Sequence, residues 1–149
     1  MPDTLDIQPR TDVLTTRLLK APPEQVFRAF TDPRRLALWW GPHGFTSTFE
    51  AFDPRPGGHW RFVMHGPDGT DYPNLIEFDV LDAPSRIALR HLETGHYFEL
   101  TIHLDNHEGR THLTWRQRFQ TPDDFDRPFV TAMNEQVMDR LEAEMTRTQ

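Results

Sequence analysis

The chain has 149 residues, with 16 basic and 23 acidic side chains, eight histidines and no cysteine. That length fits one domain, and the missing cysteines exclude disulfides, thiolate metal sites and a thiol nucleophile. A formal charge of -7 argues against nucleic acid as a partner, and no apolar run is long enough to insert into a bilayer.

Residues 1–11, which include Pro2 and Pro9, read as a flexible N-terminal arm, and 12–149 as the domain. From Val13 the pattern alternates as a strand does, with Val13, Thr15, Arg17 and Leu19 on one face. Pro22-Pro23 then opens a short helix carrying Val26, Phe27 and Phe30 at helical spacing. Asp32-Pro33 opens another, with Leu36, Trp39 and Trp40 on its buried side, and Gly41-Pro42 stops it. Six strands follow, over 45–52, 59–65, 70–81, 86–92, 97–104 and 110–119. Turn residues separate them at 53–58, 66–69, 82–85, 93–95 and 105–109. The chain ends in a helix over 126–146 whose apolar stripe is Phe129, Met133, Val137, Leu141 and Met145. Glu135, Asp139, Arg140, Glu142 and Glu144 fall on its other sides.

This order predicts an α+β fold: a seven-stranded antiparallel sheet with one dry face, covered by the terminal helix. At about 30 Å, that helix is the one predicted element long enough to do so. The chain holds 11 phenylalanines and four tryptophans within only 36% hydrophobic residues. Two arrangements account for so many rings. They meet and fill the core, or they line a gap between a curved sheet and a single helix.

The run from Arg17 to Pro33 (Arg17-Leu-Leu-Lys-Ala-Pro-Pro-Glu-Gln-Val-Phe-Arg-Ala-Phe-Thr-Asp-Pro33) resembles the opening of the SRPBCC, or START/Bet v-like helix-grip, superfamily. Trp39-Trp40-Gly41-Pro42, the run from Pro56 to Gly69, Pro84-Ser85-Arg86-Ile87 and Met138-Asp139-Arg140-Leu141 follow in order. Together they are similar to the branch called activator of Hsp90 ATPase homologue-like, over roughly 12–146. The resemblance implies a helix-grip domain with a cavity between sheet and helix, which favours the second arrangement of the rings. Tyr72-Pro73-Asn74 resembles a variant within one subgroup of that branch. Where the branch often has glycine on the last helix this chain has Met133, whose flexible thioether would narrow the cavity.

The leading expectation is therefore a binder of a small apolar or aromatic molecule, needing no cofactor. Its expected lining is Trp39, Trp40, Trp60, Phe62, Met64, Tyr72, Asn74, His91, Phe98, Trp115, Met133 and Val137. Asn74 and Tyr72 also suit a turn, and His91 a hydrogen-bonded core position beside Ile87 and Leu89. A polyketide cyclase or dehydratase is the alternative, with His91, Tyr72 and Glu77 moving protons, although alternation puts Glu77 on the wet face. A co-chaperone of heat-shock protein 90 is the third reading; the chain is similar to only one domain of such activators, and chaperone association is not expected. The histidines show no compact metal-ligand spacing, and no nucleophile elbow, phosphate loop or dinucleotide motif occurs. A cytoplasmic location is expected, and a homodimer stays open.

Overall fold

The computed structural model describes residues 6–93 and 95–147. The start of the arm (1–5), Thr94 of one predicted turn and residues 148–149 lie outside the described residues. The order is β1 (Asp12–Leu19), α1 (Pro23–Thr31), α2 (Pro33–Trp39), β2 (Thr46–Phe52), β3 (His59–His65), β4 (Asp71–Asp82), β5 (Arg86–His91), β6 (Phe98–His107) and β7 (Arg110–Arg118). A short 3-10 turn (Pro122–Asp124) and α3 (Arg127–Arg147) complete it. The strands form one antiparallel sheet in the order β1-β7-β6-β5-β4-β3-β2, so β1 and β2 occupy opposite edges. Helices α1 and α2 make the crossing between those edges, and α3 is gripped against the concave face. This is the α+β helix-grip arrangement.

Local chemistry sets the punctuation. The Asp32 carboxylate accepts a hydrogen bond from the Arg34 N–H at 3.0 Å, capping α2 where Pro33 needs no donor. Gly41, just past the helix, has a φ of +97°, a conformation that favours glycine. Gly58 answers a different constraint. A Cβ there would lie 2.0 Å from the Asp53 carbonyl oxygen, because the 53–58 turn folds tightly enough for Gly58 N–H to reach Arg55 O.

Helix α3 departs from the stripe expected of it. Leu141, Val137 and Met145 are buried, joined by Asn134, Met138 and Glu144, whereas Phe129 is 60% exposed. At 3.6 residues per turn, a strict four-residue repeat drifts about 40° per step, or about 160° from Phe129 to Met145. The N-terminal end of the stripe therefore rotates off the sheet. Glu144, expected on an outer side, lies on the buried face instead, paired with Arg35 at 3.3 Å and with Arg147 at 2.9 Å. Arg17 of β1 clamps the other flank, reaching Glu135, Asp139 and Glu142 within 3.1 Å.

On the segment expected to be a loose arm, residues 6–11 are tied to the body. Arg127 donates to the carbonyls of Pro9 and Arg10, and Arg118 to that of Asp6. Arg118 also forks onto buried Asp12 at 2.7 and 3.0 Å. Burial alone would raise that carboxyl, but the Arg118 fork and the Gln8 N–H outweigh it and hold it below the usual carboxylate range.

Replacing Gly58 by alanine should displace the 53–58 turn from β4, lowering Tm by roughly 2–10 °C if overpacking costs about 1–3 kcal/mol. Gly57→Ala, where nothing lies within 4 Å of the added Cβ, should cost less despite its positive φ. A thermal melt in which Gly57→Ala is the worse of the two would contradict the backbone clash.

Candidate ligand cavity

The four tryptophans converge at one point. The Trp40 ring centroid lies 5.7 Å from Trp39, 5.0 Å from Trp60 and 5.7 Å from Trp115. On one side of it the core is filled. Trp39 is fully buried, stands edge-on to Phe30 and donates its indole N–H to the Ala29 carbonyl at 3.0 Å. Trp60 stacks on Phe62 at 4.2 Å, with Phe49 and Phe52 packed over it. Trp39, Trp60 and Phe62, expected in a cavity lining, are thus packed in the core. Helices α1 and α2 and the β2 phenylalanines occupy the space they face.

On the other side of Trp40 the sheet and α3 separate, leaving a half-open cavity of about 830 Å³. Trp40, Met64, Tyr72, Asn74, His91, Phe98, Trp115, Met133 and Val137 of the expected lining meet there. They do so because β-pairing puts Met64 opposite Tyr72, His91 opposite Phe98, and Leu100 opposite Gln117 on the same concave face. Met133 and exposed Phe129 overhang the cavity from the end of α3 that has rotated off the sheet.

Two polar pairs interrupt this apolar wall. His91, 6% exposed, shares a 2.5 Å hydrogen bond between Nε2 and the Asn74 Oδ1, while Asn74 donates from Nδ2 to the Tyr72 carbonyl at 2.7 Å. The amide oxygen can only accept, so Nε2 carries the proton. The ring also stacks on Phe98 at 4.9 Å. Burial pushes the His91 pKa below its ordinary value, keeping the imidazole neutral near pH 7. The second pair is Asn134 of α3, 6% exposed, donating to the Gln117 side-chain oxygen of β7 at 3.0 Å.

Sequence reasoning passed over Asn134 and Gln117, although the signal was present. Gln117 lies between Trp115 and Phe119 at period two, and Asn134 lies one helical step before Val137.

Arg140 fixes the mouth. Its guanidinium donates to the carbonyls of Leu38, Trp40, Gly41 and Pro42 at 2.9–3.2 Å, binding α3 to the end of α2. Among the described residues no carboxylate pairs with it, and burial lowers its pKa from the ordinary arginine value.

Glu77 is on the convex face, paired with Arg90 at 2.5 Å and His59 at 3.1 Å, so it does not enter the cavity. His65 links Thr48 and Asp71 at 2.8 and 2.7 Å on that same face. Such a hydroxyl–imidazole–carboxylate chain has the order of a hydrolytic triad. Here, however, Thr48 and Asp71 are exposed, so water solvates the hydroxyl. Among the described residues, no group of three His, Cys, Asp or Glu side chains is placed to hold a metal ion. No described helix is long and apolar enough to cross a membrane.

The family described as "Activator of Hsp90 ATPase homolog 1-like protein" matches residues 20–146. The chain belongs to that family. Its helix-grip architecture recurs in solved structures. A Nitrosomonas europaea protein is 22% identical with a TM-score of 0.85, the match covering 97% of this chain and 100% of that one. A Chromobacterium violaceum protein is 27% identical with a TM-score of 0.81, covering 91% and 96%. A Silicibacter pomeroyi protein whose structure is titled as an AHSA1 protein is 19% identical with a TM-score of 0.79, covering 93% and 99%. No curated protein matches the chain. Those likenesses carry the fold of this Hsp90-activator-like family, and the chemistry has to come from the cavity itself.

Two measurements probe the geometry. Arg140→Ala strips donors from the Leu38–Pro42 carbonyls and should destabilise by about 2–3 kcal/mol in urea melts. Arg140→Lys should restore only part of the loss, because an ammonium lacks the planar fork. The His91 prediction concerns pH. The unfolded chain takes up a proton near pH 6.5, whereas the folded chain resists until a lower pH. Stability should therefore fall as pH drops through 6.5 and level off below the depressed folded value. His91→Gln should remove that part of the slope, which begins as pH falls towards 6.5, in paired urea melts. An unchanged slope would contradict a buried, neutral His91.

Proposed function

We propose that this protein binds a small, mostly apolar molecule, non-covalently, in the cavity between the concave sheet and α3. The observation that carries this reading is the cavity itself. Its volume of about 830 Å³ falls within the roughly 300–1,000 Å³ of small-molecule sites, and its walls are mainly rings and aliphatic side chains with a few fixed polar groups. Burying apolar surface there contributes about 25 cal/mol per Å², offset in part by the ordering of ligand and wall. The His91 Nε2 proton is committed to the Asn74 Oδ1, and Glu77 points away on the opposite face. That arrangement supports binding over proton transfer. The family name refers to chaperone activation, but the feature supporting our reading is an internal cavity rather than an exposed docking face.

Nile red, an uncharged apolar dye, should brighten on mixing with the protein. A bound neutral ligand should raise Tm in a dose-dependent way, by about 2.7 kcal/mol of stabilisation at one hundred times its Kd. Met133→Ala should increase dye uptake, and Met133→Trp should abolish it by filling the mouth. Dye binding that ignores both substitutions in folded protein would place the ligand elsewhere, and no binding of any neutral apolar compound at saturating dose would end the proposal.

A further inference from the structure

The two edges of the sheet are not alike. At β2 the ladder is broken by a bulge between Phe49 and Ala51, Glu50 is exposed, and α2 packs alongside. Each of these blunts an edge. β1 has no bulge, proline or lysine between Asp12 and Leu19. The Phe119 N–H donates to the Thr11 carbonyl, and alternate residues of an antiparallel strand bond to the same neighbour. Val13, Thr15, Arg17 and Leu19 therefore commit their backbone groups to β7, while the even-numbered residues turn theirs outward. Asp12 shows that direction: its N–H goes to the Gln8 carbonyl and its own carbonyl accepts from Arg127. Beyond it, the outward N–H and C=O of Leu14, Thr16 and Leu18 have no hydrogen-bond partner among the described residues.

The two sides of this open edge differ in chemistry. On the convex side Leu14 and Leu18 are 44% and 42% exposed, with exposed Thr16 between them. On the concave side α3 lies against β1 and carries Glu135, Asp139 and Glu142 at spacings that put them on one helix flank. Arg17 reaches all three within 3.1 Å, which sets the row beside the strand, and each carboxylate stays about half exposed. Three carboxylates against one guanidinium leave an excess of negative charge there. The row spans about 10 Å of helix, and alternate residues of a strand are about 7 Å apart. Basic residues at every second position of an added strand would match that row.

We propose that the β1 edge takes a basic, extended peptide segment of another protein as an added antiparallel strand, in which lysine or arginine alternates with apolar residues. The apolar side chains lie beside Leu14 and Leu18, and the basic ones on the side of Glu135, Asp139 and Glu142. Backbone bonds supply affinity, and the alternation supplies specificity. A second copy of this chain offers the same backbone groups, but pairing two β1 edges brings both acidic rows together. The inference concerns the sheet edge rather than the cavity, and it stands or falls separately from the ligand-binding reading.

The probe is a short fluorescein-labelled peptide alternating lysine and valine, added to the full chain and followed by anisotropy. It should bind, more weakly as salt is raised, and a peptide alternating glutamate and valine should not. In antiparallel pairing the valines opposite Leu14, Thr16 and Leu18 exchange the backbone bonds. N-methylation of the valines should therefore weaken binding roughly tenfold or more, whereas N-methylation of the lysines, whose N–H groups turn away, should change it less than about twofold. Thr16→Pro removes an outward donor without touching the ladder to β7. Glu135→Gln/Asp139→Asn leaves Arg17 its 2.7 Å pair with Glu142. Each variant, shown by its melt to be folded, should bind the peptide at least about threefold more weakly. No binding of the peptide, equal loss from both N-methylations, or unchanged affinity in the double variant would overturn the proposal. A dimer of the native protein that Thr16→Pro dissociates would also overturn it, by assigning the edge to a second copy.

Discussion

The contact on which the rest depends is the wedge of Trp40 among Trp39, Trp60 and Trp115. It closes the filled half of the space between sheet and helices and forms the inner wall of the empty half. Its position is set by backbone, because Trp40 follows α2 directly and its carbonyl is one of four held by Arg140. One guanidinium thereby joins the C-terminal half of α3, the end of α2 and the ring that bounds the cavity. A half-buried arginine with no carboxylate partner among the described residues is costly unless its donors are directed. Four converging carbonyls supply that direction.

Helix α3 carries two kinds of burial along one element. From Asn134 to Met145 it presents Val137, Met138 and Leu141 to the sheet, with Arg17 and Arg35 pinning its flanks through carboxylates. Before Asn134 the apolar side chains turn away from that face, and Phe129 and Met133 hang over open space. The cavity is thus a consequence of helical phase. Had the apolar repeat alternated three and four from the start, the N-terminal turns would have closed on Phe98 and Leu100 and filled it. Asn134 marks the change of regime. A buried amide at that point is tolerated because Gln117 lies opposite it, and an amide lacking such a partner would be destabilising by about 1–3 kcal/mol.

The elements were legible in the sequence because proline, glycine and alternation agree along the chain; each predicted strand and helix has its counterpart in the structure. Pro22-Pro23 and Asp32-Pro33 start helices for reasons local to the backbone, and Gly58 closes a turn that no side chain fits. What the sequence left undecided was which rings face a neighbour and which face a void. Trp60 and Trp115 have the same residue type and the same alternation, yet Phe49 and Phe52 cover one while the other reaches the cavity. That difference is set by the crossing of α1 and α2, which is tertiary. The stripe on α3 misled for the opposite reason. Equal four-residue spacing picks out Phe129 to Met145, but the drift of that spacing, together with the polar Asn134 on the true buried face, carries the information.

The location of the opening also sets how the proposed ligand would exchange. The filled core is sealed by α1, α2 and the tryptophans, so no route passes through it without unfolding. The open side lies beneath the first turns of α3, where an exposed Phe129 offers the first apolar contact from solvent. Entry there would not require separation of packed elements, because the cavity is already half-open on that side. Association of the proposed ligand would then depend on collision with that aromatic edge, and its affinity on how long the cavity retains it. Differences in affinity among related ligands should consequently reside in dissociation rates.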